Sequence, residues 1–191
     1  GHEDYLQVNG HIEPDIKKSN NLQSYRQSAQ FFWQCVSNCN RRFVALSEES
    51  VGEILKPIIG RALATADIDH DGDLDVLVSS SGETMKLFRN EQKLGHKWLR
   101  VELLRKDQKP SISSIVEIYS LPEGHQKRIV SPNRGYLSIS DSTLTFGLGK
   151  AVSKINKVVV TWPNLMVQTV CNPPLNSTLV IRESHLEGNC Q

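Results

Sequence analysis

Long apolar runs are missing from this chain. No stretch approaches the roughly 18 consecutive apolar residues that span a bilayer as a helix, so no membrane insertion is expected. Charge of one sign is missing as well. With 22 Lys plus Arg against 21 Asp plus Glu there is no net field to attract a polyanion, and nucleic acid is not an expected partner. The basic pairs Arg41-Arg42 and Lys127-Arg128 are too short to line a polyanion groove and read as solvated faces. The opening Gly1-His2-Glu3-Asp4 has neither the basic nor the apolar region of a signal peptide, so any secretion signal is expected to have been removed or to lie upstream.

Catalytic fingerprints are also scarce. The six histidines, His2, His11, His70, His96, His125 and His185, are scattered, with no H-E-x-x-H pairing to hold a hydrolytic metal. There is no G-x-S-x-G, P-loop or dinucleotide fingerprint, and Phe146-Gly147-Leu148-Gly149 reads as a β-turn because it lacks a strand-to-helix context. An enzyme is not expected.

What the chain does contain is short apolar runs of period-two or continuous character, broken by clusters of Gly, Pro, Asn, Asp and Ser. Strands are expected at 4–8, 29–33, 42–46, 61–66, 74–79 and 86–89, with one short helix at 49–55. After the polar stretch Asn90-Glu91-Gln92-Lys93, eight more are expected at 98–104, 115–119, 126–130, 136–139, 144–146, 157–162, 167–170 and 178–182. The pattern is all-β, and a length of 191 residues accommodates two modules, 1–94 and 95–191, the second of them a β-sandwich or related structure.

The sharpest local signal is Asp67-Ile68-Asp69-His70-Asp71-Gly72-Asp73-Leu74-Asp75, with a carboxylate at every second position and a glycine after the third. Calcium takes six to eight hard oxygen ligands, and a tight loop of alternating Asp aims several inward at once. Asp67, Asp69, Asp71 and Asp75 are the expected side-chain ligands, with the backbone carbonyl of Asp73 as a further oxygen. An EF-hand begins in the same way but needs a bidentate Glu at loop position twelve, where this chain has Val78. The flanking runs 61–66 and 74–78 are strand-like, so a strand-loop-strand calcium site is expected. The competing picture is a solvated acidic turn, in which the carboxylates would repel one another without a cation. Magnesium prefers rigid octahedral sites that retain water, and zinc would look for His or Cys; His70, at an even position, is expected to point away.

The four cysteines, Cys35, Cys39, Cys171 and Cys190, fall as two sequence-local pairs, which suits two small loop-closing disulfides, although three connectivities remain open. A four-cysteine zinc site would show paired C-x-x-C knuckles, which are absent. Asn176-Ser177-Thr178 is an N-glycosylation acceptor for a chain that enters a glycosylating secretory pathway. Trp98 and Trp162 read as core anchors; together with Arg134 and Tyr136 they could instead form an aromatic and basic surface for a ligand.

Gly60-Arg61-Ala62 leading into Ala66 and the acidic loop, followed by Leu87-Phe88-Arg89-Asn90, resembles an FG-GAP repeat of the integrin-α type. Val8-Asn9-Gly10-His11-Ile12 and Tyr25-Arg26-Gln27 with Phe31-Phe32 look like the preceding repeat. Downstream, Trp98 to Leu103, Arg134 to Ser138, Leu144 to Gly149 and Val158 to Pro163 resemble the ASPIC/UnbV domain. The resemblance implies a partial β-propeller of one to two blades with calcium between strands, followed by a β-sandwich-like module. It further implies an extracellular or secreted adhesion or matrix-interaction module with structural calcium, whose partner is an extracellular protein or glycan. A carbohydrate-binding accessory module, or a subunit of an extracellular filament or surface assembly, is the alternative. A propeller needs more blades than this chain holds, so assembly with upstream blades or other chains is implied.

Overall fold

The computed structural model describes residues 2–35, 39–122 and 124–184. The molecule is all-β. Its first sheet is an antiparallel meander of β1 (Tyr5–Gln7), β2 (Gln30–Gln34) and β3 (Phe43–Ala45). A second meander joins β4 (Gly60–Ala66), β5 (Asp75–Ser80) and β6 (Lys86–Phe88). The two are locked where backbones cross. Gly60 N–H donates to the Asn9 carbonyl at 2.9 Å, and a Cβ on Gly10 would sit against Gly60 N and the Ile59 carbonyl carbon, so the close approach requires glycine. The Arg61 guanidinium spans the crossing, donating to the Gly10 and His11 carbonyls at 3.0 and 2.9 Å.

Residues from 97 onward form two facing sheets. One has the order β12 (Leu144–Gly149), β7 (Lys97–Leu104), β15 (Ser177–Arg182), with β15 parallel to β7. The other runs β14 (Val167–Cys171), β13 (Lys154–Thr161), β8 (Ile115–Leu121), β9 (Gly124–Ile129). Period-two alternation sends one face of each strand inward: Leu99, Val101 and Leu103 from β7 meet Val116 and Ile118 from β8, Val158 and Val160 from β13, and Phe146 from β12. Trp162, 1% exposed, closes this core as expected, its indole N–H donating to Gln168 Oε1 at 3.2 Å.

Three local expectations need correction. The run 136–139 is not one strand: β10 (Asn133–Gly135) and β11 (Ser138–Ile139) form a small hairpin whose turn holds Leu137 at φ 51°. Phe146 to Gly149 is not a turn but the continuation of β12, since Phe146 and Leu148 both point into the core and Gly147 and Gly149 pair with Trp98 and Lys97. The helix expected at 49–55 is a single α-helical turn at Glu48–Val51, continued as a 3-10 turn over Gly52–Leu55, and a further helical turn not foreseen occupies Ile16–Ser19.

The outer edge of β4 is answered by the hairpin. Leu63 and Thr65 donate their N–H groups to the hydroxyls of Ser138 and Ser140, both at 3.1 Å, and Asp141 N–H returns to the Thr65 carbonyl at 3.0 Å. An edge strand is thereby capped by side chains rather than by another strand.

Phe146 is fully buried between the two sheets. Phe146→Ala is expected to cost about 3–5 kcal/mol in urea unfolding; a loss below about 1 kcal/mol would show that the sheets do not share this core.

Candidate metal site

In the β4–β5 ladder Ala66 lies opposite Asp75, so the acidic loop is the connection between neighbouring strands. Its conformation is written by its own carboxylates. Asp67 Oδ1 accepts the Asp71 N–H at 3.1 Å and its Oδ2 accepts the Gly72 N–H at 3.0 Å. Asp71 Oδ1 accepts the Asp73 N–H at 2.9 Å. Asp75 clamps the loop's exit: one oxygen takes the Ile68 N–H at 3.0 Å, the other the Asn90 N–H at 2.8 Å. Asp's short side chain makes such local bonds well, which is why this residue type folds the turn as well as charging it.

The loop draws Asp67, Asp69 and Asp71 together, with one carboxylate oxygen from each lying within 4.8 Å of the others. At that separation two unit charges repel by on the order of 3 kcal/mol at an effective dielectric of about 20. Asp67 is buried while Asp69 and Asp71 reach solvent, so the cluster is open on one side. The donor set is all hard oxygen. His70 is exposed with φ 62°. Three such oxygens fit calcium, or magnesium with added water, and not zinc. Of the remaining expected ligands, Asp75 is buried with both oxygens engaged by backbone N–H groups, and the half-buried Asp73 has its carboxyl pushed above the ordinary range by burial and by the neighbouring Asp71 and Asp67 carboxylates.

Two residues of β7 complete the site, and local sequence reasoning assigned neither to it. Trp98 is not a sandwich anchor: it lies half-buried against Gly72, where a Cβ would collide with the indole ring. Gly72 has φ 95°, so both backbone and space demand glycine. Arg100, 4% exposed, sits two residues on and faces the same way, with Nη1 at 3.4 Å from Asp67 Oδ2 and Nη2 at 2.6 Å from Asp141 Oδ2. The only local hint was a charge set between Leu99 and Val101 in an apolar strand. Arg89, more exposed, pairs with Asp69.

A family model described as FG-GAP repeat matches residues 59–96, and one described as ASPIC and UnbV matches residues 105–187. The chain carries an FG-GAP repeat followed by an ASPIC/UnbV segment. Cartilage acidic protein 1 of Xenopus tropicalis is 31% identical over 131 residues, covering 66% of this chain and 20% of that protein. The Homo sapiens and Mus musculus proteins of the same name are each 30% identical over 142 residues, covering 71% of this chain and 21% and 22% of theirs. The chain thus spans about one fifth of the length of these relatives. The acidic loop falls inside the FG-GAP match, and β8 to β15 fall inside the ASPIC/UnbV match.

Elsewhere, Cys35 and Cys39 are joined to each other, which removes them from any four-cysteine zinc site. Cys171 is disulfide-bonded, and Cys190 lies outside the described residues. Asn176 is exposed at φ 54°, its Oδ1 accepting the Trp98 N–H at 3.2 Å. Tyr136 is 85% exposed on the hairpin while Trp162 is in the core, so the four residues considered for one aromatic and basic surface do not share a face.

Gly72→Ala is expected to destabilise the chain by roughly 1–3 kcal/mol or more from its φ alone, with the displaced indole in addition. Gly82, at φ 70° in open space, is the control. Equal losses for Gly72→Ala and Gly82→Ala in urea unfolding would mean that the Trp98 contact contributes nothing.

Proposed function

We propose that this chain is a calcium-binding, non-catalytic extracellular module for adhesion or matrix interaction, built of two parts, residues 1–94 and 95–191, in which the ion is structural. The observation that carries the reading is the convergence of Asp67, Asp69 and Asp71 in a strand-loop-strand connection within the FG-GAP match. Calcium would be held by these three carboxylates, with Asp73 and Asp75 completing and bracing the loop. It would supply the positive charge that three converging carboxylates need, and its preferential binding to the folded chain would add stability. The Cys35–Cys39 disulfide and the similarity to proteins named for cartilage support an oxidising, extracellular location, with an extracellular protein or glycan as partner.

The chain covers only part of its relatives, so upstream blades or other chains are proposed to complete the sheets. Among the described residues no helix is long and apolar enough to cross a membrane.

Calorimetric titration with calcium is expected to show one site, and thermal melts should shift upward in calcium relative to chelator. The gain is about 2.7 kcal/mol at a hundredfold excess over the dissociation constant. Asp69→Ala and Asp71→Ala should abolish both effects, so that each variant melts at the same temperature in calcium and in chelator. No binding at millimolar calcium would reduce the loop to an acidic turn. For the Asn176 acceptor, expression in a glycosylating host should add one N-glycan, a mass increment that Asn176→Gln removes; a secreted, unmodified chain would show that Asn176 is not used.

A further inference from the structure

The buried guanidinium of Arg100 has two anionic partners and one charge. Its shorter contact, 2.6 Å from Nη2, is to Asp141 Oδ2; its longer one, 3.4 Å from Nη1, is to Asp67 Oδ2. Neither Asp67 nor Arg100 has solvent to turn to, since their side chains are 0% and 5% exposed. Asp141 is a fixed acceptor: its Oδ1 takes the Thr143 N–H and hydroxyl, both at 3.0 Å, and its own N–H is tied to Thr65 at the base of the loop. Asp67 in turn is the innermost of the clustered carboxylates.

We propose that Arg100 is a tethered counter-ion of the loop, supplied by the sandwich strand β7, which competes with calcium for Asp67 and is handed over to Asp141 as the ion binds. This rests on the calcium reading of the preceding subsection. A divalent ion on Asp67 neutralises the charge that attracts Nη1 and repels the guanidinium, while the Asp141 carboxylate beside it gains the whole of the pairing. Calcium affinity is therefore set by residues of the ASPIC/UnbV-matched sandwich and its leading strand, outside the loop that holds the ion. By linkage the ion alters the contacts of Arg100 to the same extent that Arg100 alters the ion's affinity. Arg100 thus acts on the ion only indirectly, through the charge of Asp67.

A residue that merely held Asp67 in place would give the opposite sign. If Arg100 orients Asp67 for calcium, removing it weakens binding; if it competes, removing it leaves a more anionic loop and tightens binding. The full chain is titrated with calcium by calorimetry as wild type, Arg100→Met, Asp141→Asn and the double variant. Arg100→Met is expected to lower the dissociation constant, and Asp141→Asn, which leaves the guanidinium only Asp67 to pair with, is expected to raise it by about fivefold or more. In the Arg100→Met background the Asp141→Asn effect should vanish, because the cation through which it acts is gone. Weaker binding by Arg100→Met, or wild-type affinity in Asp141→Asn, overturns the proposal. Should Arg100→Met fail to fold, Asp141→Asn decides alone. If wild-type chain takes up no calcium at all, the calcium reading has failed and the competition with it; if wild type binds and the variants do not diverge, only the competition has failed.

Discussion

Crowded negative charge is the constraint around which this molecule is arranged. Five aspartates lie between positions 67 and 75, and three of them bring oxygens within 4.8 Å of one another. The fold answers that charge at several levels. Backbone N–H groups of Ile68, Asp71, Gly72, Asp73 and Asn90 are turned toward the carboxylates. Arg89 approaches Asp69 at the surface, and Arg100 reaches Asp67 from beneath, where burial makes each opposite charge count for more. The cluster's solvent-facing side remains open.

The sandwich is more than a neighbour of the loop. Strand β7 is used on both faces: Leu99, Val101 and Leu103 belong to the core, while Trp98 and Arg100 form the floor under Gly72 and Asp67. The β10–β11 hairpin and Asp141 then take the outer edge of β4, replacing a missing strand with serine hydroxyls and one backbone bond. Loop geometry, edge protection and sandwich packing therefore depend on one another. A change in the core that shifts β7 moves the floor of the site, and a change in the hairpin moves the counter-charge of Arg100.

Much of this was legible in order and type. The two strands bracketing the acidic loop, the alternating pattern of β7 and β8, and the burial of Trp162 follow from local periodicity and residue size. The departures have local causes as well. Leu137 adopts a left-handed turn that an apolar run does not announce, and the glycines of 146–149 stay in strand because Phe146 and Leu148 have a core to enter and β7 offers a ladder. Propensity reads glycine as a breaker; tertiary pairing overrides it.

Within the site the division is sharper. Alternating aspartates with a glycine after the third are sufficient by themselves to specify a hard-oxygen loop, because the bonds that shape it run between residues at most seven apart, apart from the Asn90 contact. The sequence determined the chemistry of the donors, the all-β pattern and the need for glycine at 72. Only the tertiary structure decided that Trp98 lies on that glycine and that Arg100 divides its charge between Asp67 and Asp141, since these contacts join residues far apart in the chain. Such pairings exist only once two sheets have packed, and no local preference of Arg100 encodes which carboxylate it will meet.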